Sequence, residues 1–374
     1  QNMPQVIGNE LPDTLYYGGD TVTVSTQTGI VGNWSNGALN KSSVKLYNFS
    51  GKLKVTFSIN GFALKDSMFV FDLRKIYVSP TGSNAQDGRQ NKPKLTIQAA
   101  INTADQGDTI YVAPGTYSRF MIEGKRINVF GLDSTNRPVI SGYDTVRAVE
   151  VESRGVVLKH LSLRNGNAPA TRNWNRGGLL FGGYDTLTVI NCDFKDGFAS
   201  QGGDYYGGGG RTTFINCRFL KNTKNAPALP NRGMFFVDNG MWMEMYNSVV
   251  DAEDFGSVFM VGFTHKIYNS TILNLSGTLY TQPWTGHEFK LINSVVTKKA
   301  GKTIRLTPDT TNLWNGWGGP IVLKNNRLPL IPASYTFSST ASISVQNCDT
   351  LPVFFENAAT GDYRLSNLDE HHNI

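Results

Sequence analysis

The chain has 374 residues, a formal net charge of +6 at pH 7, 40% hydrophobic and 17% charged residues, and 39 Gly. Low charge with abundant Gly excludes a long-helix or coiled-coil protein, and 21 Phe, 15 Tyr and 6 Trp exclude a disordered chain, because they supply ample surface to bury. No apolar run reaches the roughly 18 residues of a membrane-spanning helix, so no transmembrane segment is expected.

The positive charge is spread without basic blocks, which predicts no nucleic-acid partner and permits an acidic polysaccharide. Three Cys give no disulfide framework. The chain starts at Gln1 with no charged-then-apolar leader, which predicts a mature product, extracellular or on the cell surface, exported with a cleaved signal peptide.

Residues 1–12 read as an N-terminal extension and residues 13–74 as short strands of period two. Thr21-Val22-Thr23-Val24, Lys52-Leu53-Lys54-Val55-Thr56-Phe57 and Met68-Phe69-Val70-Phe71 alternate, with hairpin-turn dipeptides at Asn36-Gly37 and Asn60-Gly61. A segment with this rhythm predicts a small β-sandwich. Gly19 to Val24, Trp34 to Gly37, Gly51 to Val55, Asn60-Gly61 and Asp66-Ser67 resemble the immunoglobulin-like modules of Bacteroidetes surface proteins, with Phe62 where those usually carry Cys. The resemblance implies a surface setting and a spacer or docking role.

Residues 75–374 change character. Ile76 to Ser83, Thr96 to Ile101 and Gly107 to Tyr117 resemble the opening segment of right-handed parallel β-helix proteins of the pectate-lyase-like superfamily. Residues 96–104 are then a short amphipathic helix that plugs the open end of an all-β solenoid, where exposed strands would otherwise pair with other chains.

The repeat supports the same architecture independently. Val189-Ile190-Asn191-Cys192-Asp193-Phe194 recurs as Phe214 to Phe219, Met245 to Val250, Ile267 to Ile272 and Leu291 to Val296, with a further copy ending at Cys348 and His160 replacing Asn in the first. The Asn-to-Asn steps of about 22 to 31 residues lie in the solenoid range and predict nine or ten coils. Asn tolerates the left-handed backbone of a sharp corner, and its amides can bond from coil to coil. The small residue after it and the large apolar one two positions further should point inward.

Candidate sites follow from this frame. Catalysis on such solenoids needs ionisable groups clustered on one outer face. Lys195, Asp204, Arg218 and Lys221 form the richest cluster, although Asp193 and Arg218 share a register position and predict a cross-strand ion pair. No motif of pectate lyases, polygalacturonases or alginate lyases can be laid onto the chain residue by residue. Asp251, Glu253 and Asp254 are the set that could hold calcium; no other metal or cofactor is expected. Trp174, Trp284, Trp314 and Trp317 lie in Gly- and Asn-rich loops suited to glycan or protein contacts. Phe181, Tyr206, Phe236, Phe259 and Tyr280 sit at nearly equal distances before each Asn, facing inward as a core stack or outward as a sugar platform.

The residue just before each corner should point outward, yet it reads Ile190, Ile215, Tyr246, Tyr268 and Ile292. An apolar outer stripe marks a contact surface between molecules, or one covered within the chain by a long loop such as 308–342 or by the N-terminal module. The expectation is therefore a non-catalytic structural, adhesive or self-assembling subunit, binding itself or another surface protein. The competing readings are a lyase or hydrolase acting on an acidic glycan, and a non-catalytic glycan-binding protein.

Overall fold

The structure is a computed structural model that describes residues 14–17, 22–26, 31–46, 51–59, 62–168, 176–183, 186–222, 234–237, 242–253, 257–260, 264–280, 285–306, 319–332, 334–336, 342–352, 355–357 and 362–365. Beyond Lys75 the chain winds through three parallel sheets of twelve, seven and eight strands. In the longest, the last strand, Tyr335–Thr336, runs antiparallel, which leaves eleven parallel rungs from Lys75–Val78 to Ser342–Gln346. Each rung pairs with the equivalent strand of the next coil, so the architecture is an all-β parallel β-helix, right-handed as parallel crossovers are. The Asn-based repeat predicts fewer coils because the first rungs, Lys75–Val78, Thr109–Val112 and Asn128–Gly131, turn without an Asn.

The corner chemistry is as the repeat requires. Asn191, Asn216, Asn247, Asn269, Asn293, Asn325 and Asn347 all have φ between 48° and 54°, and His160 takes the same place at 55°. Asn347 Nδ2 donates to Asn325 Oδ1 at 3.2 Å, and Asn325 Nδ2 to Asn293 Oδ1 at 3.1 Å. The following residue bridges coils. Ser248 Oγ accepts from Cys217 N at 3.1 Å, Ser270 Oγ from Ser248 N at 3.1 Å, and Ser294 Oγ from Ser270 N at 3.2 Å. Each hydroxyl donates in turn to the carbonyl two residues back. Cys192 and Cys217 stand in the same places as free thiols. Burial pushes the Cys217 thiol up to about 12. They are packing residues.

Inside the coil the apolar columns stack as well. Phe194 and Phe219 lie face to face at 4.5 Å and Phe235 and Phe259 at 5.1 Å, with Phe214 edge-on against Phe194, Phe219 and Phe235. The capping helix spans Ile97–Thr103, with Thr96 Oγ1 accepting from Ala99 N and Ile97, Ala100 and Ile101 buried. It carries no acidic residue in its first turn and no basic residue in its last. Lys125 Nζ instead caps its C-terminal carbonyls at Ile101, Asn102 and Ala104.

Before the solenoid, Thr14–Tyr17, Phe62–Asp72, Gly51–Ile59 and Gly32–Trp34 form one small sheet, and Val22–Ser25 pairs with Ser43–Leu46 in another. Ile59 pairs with Phe62, the spacing of a two-residue hairpin, while the predicted turn residues 60–61 lie outside the described set. Val24, Trp34, Val44, Leu46, Leu53, Val55 and Met68 are buried in this unit.

Candidate functional site

Alternation divides each rung of the long sheet between two environments. Ile110, Val129, Leu158, Val189, Phe214, Met245, Ile267 and Leu291 form the inward column and are fully buried. Their outward neighbours are held in one unbroken register: Tyr77, Tyr111, Phe130, Lys159, Ile190, Ile215, Tyr246, Tyr268, Ile292, Lys324 and Gln346. All five residues of the expected stripe stand there, half-buried by their neighbours above and below. The structure lengthens it by Tyr77, Tyr111 and Phe130, which precede the first corner Asn and so escape a search keyed to that residue. The alternation in Ile76-Tyr77-Val78 and Ile110-Tyr111-Val112 is the signal that finds them.

The rings of the stripe are used on one another. Tyr246 and Tyr268 stack at 5.2 Å with planes 10° apart, Tyr77 and Tyr111 at 5.5 Å, and Phe130 meets Tyr111 edge-on at 6.0 Å. A stacked ring presents its edge to solvent, whereas a sugar platform must offer a face. The stacked rings of the stripe therefore turn edges, not faces, to solvent. Tyr246 Oη donates to Glu244 Oε2 at 3.1 Å, and partial burial together with that carboxylate raises its pKa.

A charged column runs beside the stripe, and its members pair with groups of the chain itself. Glu244, Lys266 and Lys290, each three residues before its corner Asn, share a register. Glu244 pairs with Arg211, while Glu288 takes Lys266 at 3.1 Å and Lys290 at 2.8 Å. Burial works against the Glu288 charge, but the two lysines hold its carboxyl below the ordinary range. Trp242 is 44% exposed at the edge of this column, with Lys266 Nζ 5.1 Å from its ring centre.

The acid–base candidates do not converge on an open site. Asp204 is 0% exposed and neither carboxylate oxygen has a hydrogen-bond partner. It takes the place that Ala148, Leu179 and Met234 fill in neighbouring coils, one residue before the paired set Val149, Leu180, Tyr205 and Phe235. Burial first, then the nearby Asp196 charge, pushes its pKa well up, opposed by Arg164. An interior acid of this kind cannot touch a polymer. Arg218 is spent on the expected cross-strand pair, donating Nε to Asp193 Oδ1 and Nη2 to Oδ2, both at 2.7 Å, while Arg137 Nη1 reaches Oδ2 at 2.6 Å. Burial raises the Asp193 pKa, but the two guanidiniums win and hold it below the usual range. Lys221 and Lys299 both grip Glu253 at 2.7 Å. Lys195 lies in register with Arg164, half-buried.

The calcium set fares similarly. Glu253 is neutralised by those two lysines, which lower its pKa. Asp251 accepts from Asn274 Nδ2 and Glu253 N, each at 3.2 Å, and burial raises its pKa. Asp254 lies outside the described residues. Among the described residues no group of three His, Cys, Asp or Glu is placed to hold a metal ion. Trp174, Trp284, Trp314 and Trp317 also lie outside the described set.

The aromatic ladder proves to be two columns. Phe181, Tyr206 and Phe236 share one register, whereas Phe259 and Tyr280 align with Phe235 and Tyr205 in the other. In the first, Phe181 and Tyr206 stack at 5.4 Å under Arg147 and Arg176, each guanidinium about 5 Å from a ring centre. In the second, Tyr205, Phe235 and Phe259 are buried core residues.

A family model described as a protein of unknown function (DUF1565) matches residues 80–129. No curated protein matches the chain. Among solved structures, pectate lyase Pel9A is 17% identical over 74% of this chain and 78% of its own, with a TM-score of 0.40. Pectin methylesterase PemA from Erwinia chrysanthemi is 16% identical over 77% and 97%, at 0.46, and a rhamnogalacturonan lyase is 14% identical over 75% and 90%, at 0.45. With its stacked parallel sheets and helical cap, the chain is a right-handed parallel β-helix.

Proposed function

We propose that this is a secreted or cell-surface β-helix protein with a structural, non-catalytic role, assembling or adhering through the outer face of its long sheet. One observation carries the reading: the continuous apolar stripe from Tyr77 to Ile292, interrupted only by Lys159. Large apolar side chains in a row along an outer surface mark a contact face. The pairing of the neighbouring charges within the chain supports the same reading, because it leaves Glu244, Lys266 and Lys290 engaged beside that face.

Negative-stain electron microscopy at physiological salt tests it. Regular oligomers, sheets or filaments are expected. Tyr246→Asp with Tyr268→Asp should abolish them while leaving the far-ultraviolet circular dichroism of the β-helix intact. Single rods about 53 Å long, from eleven rungs at about 4.8 Å each, or assemblies indifferent to the double substitution, would reject the contact face. Cleavage of acidic polysaccharides that disappears with Arg218→Ala and Lys221→Ala would replace it with an enzyme.

A further inference from the structure

The partner of this face is legible from its period. Any surface that docks along the stripe must match side chains repeating every ~4.8 Å over eleven rungs. A helix advances ~5.4 Å per turn and slips about 6 Å, more than one rung, across that length. A single extended strand lying along the stripe presents one face every ~6.6 Å and slips faster. Another stack of strands keeps step, and a second copy of this chain is such a stack. The face is also large enough: about 50 Å by the ~13 Å of a four-residue strand is roughly 650 Å² per partner, close to the ~800 Å² typical of stable complexes.

Resting on the contact-face reading above, we infer that two copies pair long sheet to long sheet with their solenoid axes antiparallel, about a two-fold axis that runs parallel to the strands through the rung of Ile215. Charge selects this arrangement over the alternative. A two-fold axis along the solenoid keeps the axes parallel and sets every stripe residue against itself, which opposes Lys159 to Lys159 and Lys324 to Lys324. Sliding that pair sideways lays the Glu244, Lys266 and Lys290 column onto Tyr246, Tyr268 and Ile292, burying charges on apolar groups.

The antiparallel pair avoids the lysine-on-lysine contacts of the stripe. Ile215 lies on the sixth of the eleven rungs, so full overlap brings it onto its own copy. Ile190 then faces Tyr246, Lys159 faces Tyr268, Phe130 faces Ile292, and Lys324 faces Tyr111. Both unpaired lysines of the stripe meet tyrosines, where an ammonium finds a ring or hydroxyl. Among the stripe residues no like charges meet, and Arg211, which faces its own copy on the axis, is held by Glu244. In the adjacent column Glu244 faces Thr188, Lys266 faces Val157 and Lys290 faces Asn128. The surface is complementary to itself, as an isologous two-fold contact requires.

Sedimentation velocity and a short bis-maleimide crosslinker test this on the full chain carrying Cys348→Ser, since Cys192 and Cys217 are buried. The chain should sediment as a dimer. Ile215→Cys, on the axis, should crosslink to itself. Ile292→Cys should not, but should crosslink when mixed with Phe130→Cys. Ile215→Asp, counted twice per interface, should weaken dimerisation roughly 100-fold or more without changing the circular dichroism. Self-crosslinking of Ile292→Cys would overturn the antiparallel arrangement and leave the contact face standing. A monomer, or a dimer that ignores Ile215→Asp and Tyr246→Asp alike, would overturn both.

Discussion

At the scale of single residues, Asp204 is the most consequential misfit between type and place. Its column is otherwise apolar, and its two oxygens have no hydrogen-bond partner. The folded pKa lies well above the ordinary carboxylate value because burial disfavours the charge. The stabilising, protonated form is therefore fully present below the unfolded pKa of about 3.9 and is lost as pH rises through the raised folded value. Asp204→Asn removes that loss. It should raise stability at pH 7 by about 1–3 kcal/mol and change it little at pH 4, as read from urea unfolding at the two pH values; equal effects at both would show that the carboxyl is already charged. From the sequence Asp204 was one acid among several in a polar stretch. Its interior position follows from how the preceding turn closes, which no local pattern records.

At the scale of the repeating corner, the element works because two requirements fall on adjacent residues. The Asn accepts a left-handed backbone that would cost most residues about 1–2 kcal/mol, and the next side chain satisfies the buried N–H of the neighbouring coil. Ser270→Ala should cost about 1–3 kcal/mol, because it leaves Ser248 N without its acceptor. Ser270→Cys should cost clearly less, since a thiol already serves at the equivalent place, where Leu161 N donates to Cys192 Sγ at 3.4 Å. Urea midpoints for the two variants decide it; equal losses would mean that volume, not hydrogen bonding, sets the residue type. The corner was legible because all its parts lie within a few residues of one another. Only the partner across the coil, and hence the role of the hydroxyl, needed the fold.

At the scale of the whole molecule, both ends of the long sheet are covered. At one end the helix Ile97–Thr103 buries Ile97, Ala100 and Ile101 against the solenoid. At the other, Tyr335–Thr336 pairs antiparallel with Ser342 and Ile343, and Ser334 Oγ accepts from Val345 N at 2.8 Å. Covered ends discourage end-to-end stacking and leave the side of the sheet as the surface for association. Ile101→Asp should displace the helix and expose the first rung. Aggregation with increased thioflavin binding is then expected where the parent protein stays in solution, and unchanged solubility would show that the cap is dispensable for edge protection.

The sequence by itself determined the solenoid, its helical cap, its corners and the outward stripe, because each depends on covalent neighbours: alternation sets which side chains face out, and the Asn marks where the chain turns. Only the tertiary structure decided which groups meet across coils. The turns between sheets differ in length from coil to coil, and a shift of one residue moves a side chain to the opposite face. That is why residues equally spaced before Asn, such as Tyr206 and Phe259, end in different columns. The same freedom placed Asp204 in the core and paired Lys221 with Glu253. Charge and burial were decided there, because both depend on distances between coils that the chain reaches only after winding once around.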